Sequence, residues 1–342
     1  MKYKALGNTG LYVSELTLGT MTFDKEGGSY AGVTGATGQD LATRMVDVSI
    51  EAGINIFDTA NVYGTGVSEE ILGKALGARR KDVLVATKVG SPMGAGPNDF
   101  GASRLSVMRE AENSLKRLGT DWIDLYQIHT FDDTTPIEET LRALDDLVRQ
   151  GKVRYIGLSN FAGWQIAKAD GLACQMGTER FCASQVYYSL MAREVEREII
   201  PAAIDLGLGT LVSSPLSAGF LSGKYTREGE ASGRRATFEY PPVDKVQGFD
   251  VVDALKVIAS EKGASVAQIA LAWLLHKTGV TSVLIGARKE EQLVDNLGAA
   301  DIALSEAEMA QLDEVSALKP EYPGYLPKMQ RGDSLFVRLR DS

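Results

Sequence analysis

The strongest constraint on this chain is an alternation. Short apolar runs bounded by turn residues recur between segments of helical periodicity, from Leu16 to Ile285. Continuous apolar runs of strand length read as strands buried on both faces, and strands that alternate with helices pack as a parallel sheet. In a parallel sheet every strand ends at the same edge. Three of the runs end on a proton-handling side chain: residues 54–57 run into Asp58, residues 83–87 into Lys88 and residues 123–128 into His129. Tyr63 follows Asp58 by five positions. The alternation therefore predicts that Asp58, Lys88 and His129 share one face of the protein, with Tyr63 just beyond it.

In order, the predicted strands are 16–20, the run ending at Asp58, the run ending at Lys88, the run ending at His129, then 153–158, 181–186, 210–213 and 281–285. The predicted helices are 41–52, 68–76, 103–118, 137–150, 163–176, 194–206, 249–261, 266–277, 290–297 and 306–315. Eight strands, each followed by a helix, give an α/β protein of the (β/α)8 TIM-barrel type, whose reactive groups sit at strand C-termini and the loops after them. Residues 3–13 add an N-terminal β-hairpin turning at Gly7-Asn8-Thr9-Gly10. Residues 214–248 form a long loop after the seventh strand, and such a length in a compact domain usually has a function. No linker divides the chain, so residues 1–342 are expected to form one barrel domain with an irregular tail from about Lys319.

Composition narrows the partners. A net charge of -9 argues against a nucleic-acid partner, which needs a basic surface. No apolar stretch approaches the length of a membrane span, and the start has no signal-peptide core, so a cytoplasmic protein is expected. Cys174 and Cys182 are too few for a disulfide framework or a zinc site, and both read as small buried apolar residues. No metal site is expected. The glycines of residues 27–38 do not make a dinucleotide fingerprint, because no strand directly precedes them and no helix opens within them. His276, Trp122 and Trp164 read as packing residues.

The four converging groups suit one kind of chemistry. A tyrosine gives up its proton too reluctantly at neutral pH. A nearby lysine ammonium stabilises the phenolate, an aspartate holds that ammonium in place, and a histidine can hydrogen-bond an incoming oxygen. The set suits protonation of a carbonyl oxygen as charge develops on it. No side chain carries a hydride, so a cofactor must supply it.

At these residues the chain resembles the aldo-keto reductase superfamily, from Leu6-Gly7 through Gly298. The resemblance rests on Asp58, Tyr63, Lys88 and His129 in the family's order, on Phe57-Asp58-Thr59-Ala60-Asn61-Val62-Tyr63-Gly64 with Ser68-Glu69, and on Gly157-Leu158-Ser159-Asn160-Phe161. It implies interconversion of aldehydes or ketones and alcohols with NADP(H), NAD(H) being the alternative, and Tyr63 as general acid. It further implies that Ser159, Asn160 and Gln185 hold the nicotinamide carboxamide and that Gly19, Thr20 and Met21 lie beside the nicotinamide ribose. Ser214, Pro215, Leu216, Gly219, Leu221 and Lys224 would wrap the pyrophosphate. Gly286, Ala287, Arg288, Gln292 and Asn296 would form the adenosine site, with the Arg288 guanidinium on the 2′-phosphate. One departure stands out: where relatives present a Trp or Tyr against the nicotinamide, this chain has Ser213, so that contact is lost or comes from elsewhere. Phe23 and Tyr30 are candidates to line the substrate pocket, as are Tyr322 and Tyr325 in the tail. Two rival readings remain: a Schiff-base lyase or aldolase built on Lys88, and a nucleotide-sensing regulatory subunit resembling the auxiliary subunits of potassium channels.

Overall fold

The computed structural model describes residues 1–28, 35–227 and 240–326. Strands β1 (Tyr3–Ala5) and β2 (Tyr12–Ser14) pair antiparallel as the expected hairpin. Eight parallel strands follow: β3 (Leu16–Gly19), β4 (Ile56–Asp58), β5 (Leu84–Val89), β6 (Ile123–Ile128), β7 (Val153–Ser159), β8 (Ala183–Tyr187), β9 (Gly209–Ser213) and β10 (Val280–Ile285). They pair in sequence order, and β10 pairs back onto β3 to close the barrel. The helices are α1 (Gln39–Glu51), α2 (Val67–Leu76), α3 (Arg104–Leu118), α4 (Ile137–Arg149), α5 (Gly163–Met176), α6 (Ile199–Leu206), α7 (Lys245–Lys262), α8 (Val266–His276), α9 (Glu290–Leu297) and α10 (Glu306–Val315). Among the described residues, no helix is long and apolar enough to cross a membrane.

Side chains alternate across each strand, which sorts the core into two layers. Ile56, Ala86, Leu125, Ala183, Leu211 and Leu284 cluster inside the barrel. Leu18, Phe57, Val85, Val186, Val212 and Val283 point the other way, into the layer under the helices. The period of two carries the next inward positions, Asp58, Lys88, Gln127, Gln185 and Ser213, toward the mouth where the strands end. Apolar side chains thus fill the bottom of the barrel and polar ones its top.

Several elements differ from the sequence expectation. β8 ends at Tyr187 rather than at residue 186, so this tyrosine belongs to the barrel mouth. Helix α7 starts at Lys245, four residues before the expected 249, because the Asp244 side chain accepts hydrogen bonds from the Val246 and Gln247 N–H groups and caps it. The stretch after β9 is therefore shorter than expected, and the two helices expected after that strand both form. The expected helix 194–206 is a 3-10 turn, Glu194–Glu196, followed by α6. The helix expected over 68–76 starts one residue earlier, at Val67, after Gly66 at φ 97°, and the Ser68 hydroxyl is turned to Thr20 and Thr59.

Phe23 is 1% exposed and belongs to the core under the helices, so it does not line a pocket. Its loop doubles back, with Thr37 N–H donating to the Thr22 carbonyl at 2.8 Å, and this folds the phenyl ring inward. Tyr30, the other substrate-pocket candidate, lies outside the described residues. Trp164 is exposed, against its reading as a packing residue, and meets Phe131 edge-on at 6.0 Å. Trp122 is held by a 3.0 Å hydrogen bond to Asp124 and by the Arg80 guanidinium over its ring. Cys174 is exposed rather than buried, while burial pushes the Cys182 thiol up to about 12. Tyr322 and Tyr325 are both exposed.

One buried ion pair ties the helical layer to the barrel. Glu69 on α2 is fully buried, accepts from Arg117 Nε on α3 at 2.6 Å, and accepts from the Thr87 hydroxyl on β5 at 2.6 Å. Removing only the cation leaves a buried carboxylate without its partner, which costs about 3–5 kcal/mol. Arg117→Met is therefore expected to lose about 3 kcal/mol or more in urea unfolding. Adding Glu69→Gln to it should recover most of that loss. A single variant as stable as the wild type would contradict this account of the α2–α3 contact.

Candidate active site

The last inward-facing positions of the eight strands form a ring at the mouth. In barrel order they are Gly19, Asp58, Lys88, His129, Ser159, Tyr187, Ser213 and Gly286, His129 and Gly286 lying one residue past their strands. Asp58, Lys88 and His129 come from three neighbouring strands, as the alternation of the sequence requires.

Lys88 is wholly buried, and its ammonium donates to Asp58 Oδ1 at 2.5 Å and to the Thr59 carbonyl at 2.8 Å. Tyr63 lies beside it, with Nζ 5.2 Å from the tyrosine ring centroid. Burial pulls the lysine toward its neutral form, but the charge of Asp58, its hydrogen bond and the neighbouring Tyr63 oxygen outweigh it and hold the ammonium above its ordinary pKa. Lys88 is a cation throughout the physiological range.

Asp58 is saturated with donors. Its Oδ2 accepts from Gln185 Nε2 at 2.8 Å and from Gln127 Nε2 at 3.3 Å. Gln127 went unnoticed in the sequence, where the available signal was its place two residues before His129 in a buried strand. Gln127 is fully buried, and its amide nitrogen finds its partner in Asp58. Gln185, read as a carboxamide contact, turns its amide nitrogen to Asp58.

Tyr63 opens a 3-10 turn, Tyr63–Gly66, in which Gly64, Thr65 and Gly66 have φ of 56°, 53° and 97°. This left-handed stretch is one that glycine adopts without steric cost. It turns the chain sharply back from β4 into α2 and leaves the tyrosine ring beside Lys88. The ring meets His129 edge-on, at 5.8 Å between centroids and 80° between planes. Removal of the imidazole from water, and then the charge of Lys88, push His129 down to about 3, so it is neutral at physiological pH. Its Nδ1 lies 3.3 Å from the Ser91 hydroxyl, and one edge of the residue stays open to solvent. The loops around this cluster are held by hydroxyls: Ser68 Oγ lies within 3.0 Å of both Thr20 Oγ1 and Thr59 Oγ1, and it donates to the Thr20 carbonyl.

The other residues singled out in the sequence distribute along one side of the mouth. Ser159 is buried, and Asn160, exposed at φ 56°, donates through Nδ2 to the His129 carbonyl at 2.9 Å and to Ser159 Oγ at 3.0 Å. Gly19 and Met21 are half-buried. The Thr20 side chain is fully buried and committed to the framework. After Ser213, Ser214 has φ 50° and Gly219 φ 85°, and both are open to solvent to some degree. Pro215 and Leu221 are buried, Leu216 is half-buried, and Lys224 is exposed with Nζ 5.1 Å from the Tyr225 ring. Gly286, Arg288 and Gln292 are exposed, and the Arg288 N–H donates to Gln292 Oε1 at 3.1 Å. Ala287 and Asn296 are buried. Because β10 pairs with β3, the Gly286–Arg288 segment lies beside Gly19–Met21, and the Thr22 hydroxyl donates to the Ala287 carbonyl at 3.0 Å.

The profile of the Aldo/keto reductase family matches residues 15–317. An uncharacterized oxidoreductase of Bacillus subtilis is 39% identical over 326 residues, covering 92% of this chain and 96% of that protein. A probable voltage-gated potassium channel subunit beta of Oryza sativa subsp. japonica is 39% identical over 313 residues, covering 88% and 92%. The versiconal hemiacetal acetate reductase of Aspergillus parasiticus is 32% identical over 349 residues, covering 95% and 99%. With nearly the whole barrel matched, the chain belongs to the aldo/keto reductase family.

Proposed function

We propose that this protein is an NADP(H)-dependent oxidoreductase that interconverts aldehydes or ketones and alcohols, with Tyr63 as the general acid and base. The observation that carries the reading is the Lys88 ammonium, buried, paired with Asp58 and lying 5.2 Å from the Tyr63 ring centroid. A buried cation beside a phenol stabilises the phenolate and makes the hydroxyl a better proton donor. His129 supports the same assignment. Held neutral, it cannot be the acid, but an imidazole N–H can orient a carbonyl oxygen.

The residues fit a dinucleotide. Ser213, Gly286 and Gly19 leave one side of the mouth free of bulk, and the exposed Arg288 stands at its rim. Ser159 and Asn160 offer an amide and a hydroxyl at the end of β7. The left-handed turns at Ser214 and Gly219 would bring backbone N–H groups close to a pyrophosphate, and the Arg288 guanidinium matches the geometry of a 2′-phosphate. When bound, the nicotinamide supplies the hydride. In the direction of reduction, Tyr63 gives its hydroxyl proton to the carbonyl oxygen while the Lys88 ammonium stabilises the phenolate that remains. Asp58 keeps Lys88 charged and fixed, and Gln127 and Gln185 fix Asp58. In oxidation the same groups act in reverse.

A Schiff-base role for Lys88 fits poorly, since that chemistry starts from a neutral amine. A nucleotide-sensing role has a specific observation in its favour, the likeness to proteins named as channel beta subunits. The tyrosine separates it from catalysis. Tyr63→Phe is expected to lower NADPH-dependent reduction of a broad aldehyde and ketone panel by about 100-fold or more while NADPH binding changes little. Undiminished turnover would overturn the assignment, and a wild type that binds NADPH without turnover would favour the sensor. Arg288→Ala is expected to weaken NADPH binding by at least about 10-fold and NADH binding little, as read by fluorescence titration. Equal losses for both would overturn the 2′-phosphate contact.

A further inference from the structure

The ring of inward positions at the mouth is lopsided. Asp58, Lys88 and His129 fill the ends of β4, β5 and β6, whereas β9, β10 and β3 end in Ser213, Gly286 and Gly19. That side is an open floor. An aromatic side chain borders it: Tyr187, the last residue of β8, paired in register with Ser213.

The direction of Tyr187 follows from its strand. Gln185 reaches Asp58 inside the barrel, and Ala183 belongs to the interior cluster, so the period of two turns residue 187 inward as well. Val186 and Tyr188 point outward, and Tyr188 packs edge-on against Trp273 at 5.4 Å. The Tyr187 hydroxyl lies 3.0 Å from Ser217 Oγ, which lies 2.9 Å from Ser189 Oγ. Ser217 belongs to the left-handed turn after β9, at φ 48°. The ring is thus anchored at its Cα by β8 and at its hydroxyl by the neighbouring loop, and it is half-buried, so part of it faces open space. Adjacent strands lie about 5 Å apart, so a large side chain at Ser213 would compete for that same space.

The geometry points to Tyr187 as the aromatic wall against which the nicotinamide ring of a bound dinucleotide lies, in the room that Ser213 leaves. This assignment rests on the reading of the chain as a nicotinamide-dependent oxidoreductase. A planar heteroaromatic ring gains from offset stacking on a phenol beyond the apolar area it buries. A ring fixed at both ends loses little freedom when it is covered, so the contact costs little ordering. Tyr187 thereby sets the plane of the nicotinamide relative to Tyr63 and His129 across the mouth.

The test compares two ligands on three proteins. Wild type, Tyr187→Ala and Tyr187→Phe are titrated with NADPH and with 2′,5′-ADP, which carries the adenosine half but no nicotinamide. Tyr187→Ala is expected to raise the Kd for NADPH by about 10-fold or more and to leave that for 2′,5′-ADP unchanged. Tyr187→Phe keeps the ring and loses only the Ser217 contact, so it should stay within about threefold of wild type for NADPH. Equal affinity of Tyr187→Ala and wild type for NADPH overturns the proposal. Equal loss for both ligands, or a loss in Tyr187→Phe as large as in Tyr187→Ala, also overturns it, since the tyrosine then acts only by holding the loop. A wild type that binds 2′,5′-ADP but neither NADPH nor NADH removes the oxidoreductase reading itself, and the stacking assignment with it.

Discussion

A charge pair sealed inside a barrel organises everything around it. Lys88 and Asp58 are almost entirely removed from water and 2.5 Å apart. Such a pair adds little to stability, because desolvating two ions consumes most of what their attraction returns, and apolar residues of the same volume often do better. The barrel nonetheless surrounds it with three further donors and acceptors: Gln127, Gln185 and the Thr59 carbonyl. The arrangement makes sense once Tyr63 is considered: its ring lies 5.2 Å from the ammonium, so the field of a buried cation reaches a phenol at the mouth.

The frame that holds this pair is itself polar and buried. The Ser68, Thr20 and Thr59 hydroxyls link α2 to the ends of β3 and β4, and Glu69 links α2 to Arg117 on α3 and to Thr87, the residue before Lys88. A fully satisfied buried network specifies one geometry more sharply than apolar packing does, since each member penalises displacement of the others. Here it fixes the sharp turn between β4 and α2 on which Tyr63 rides. The other side of the mouth has small side chains instead, Ser213, Gly286 and Gly19, which suits the large flat ligand of the proposed function.

Much of this was legible in the sequence, and the reason is the barrel. Parallel strands end at one edge, so three apolar runs ending on Asp58, Lys88 and His129 predict their convergence before any contact is known. The hairpin and the eight strands follow from the same pattern. What the sequence hid depends on which way a side chain turns inside a loop. Phe23 was expected at the pocket, but its loop folds back and buries it, and no periodicity operates in that loop to announce it. Gln127 was not singled out at all, yet its buried amide nitrogen reaches Asp58 beside that of Gln185. Ser213 looked like a gap in the site. A strand end shifted by one residue brings Tyr187 into register beside it, and strand ends are the least certain part of any reading from pattern.

The likeness to proteins named as reductases and to proteins named as channel subunits points to one barrel serving more than one end. In the proposed function the buried pair serves catalysis rather than nucleotide binding, because binding a nucleotide needs no tuned phenol. The direct test is the pH profile of NADPH-dependent carbonyl reduction in the wild type and in a double variant, Asp58→Asn with Lys88→Met, which removes both charges and leaves neither alone. If the ammonium tunes Tyr63, the wild-type profile falls with an apparent pKa below the ordinary tyrosine value of about 10, and the double variant, slower at neutral pH, holds its activity to a limb at least about one unit higher. A limb at the same pH in both proteins would contradict the account.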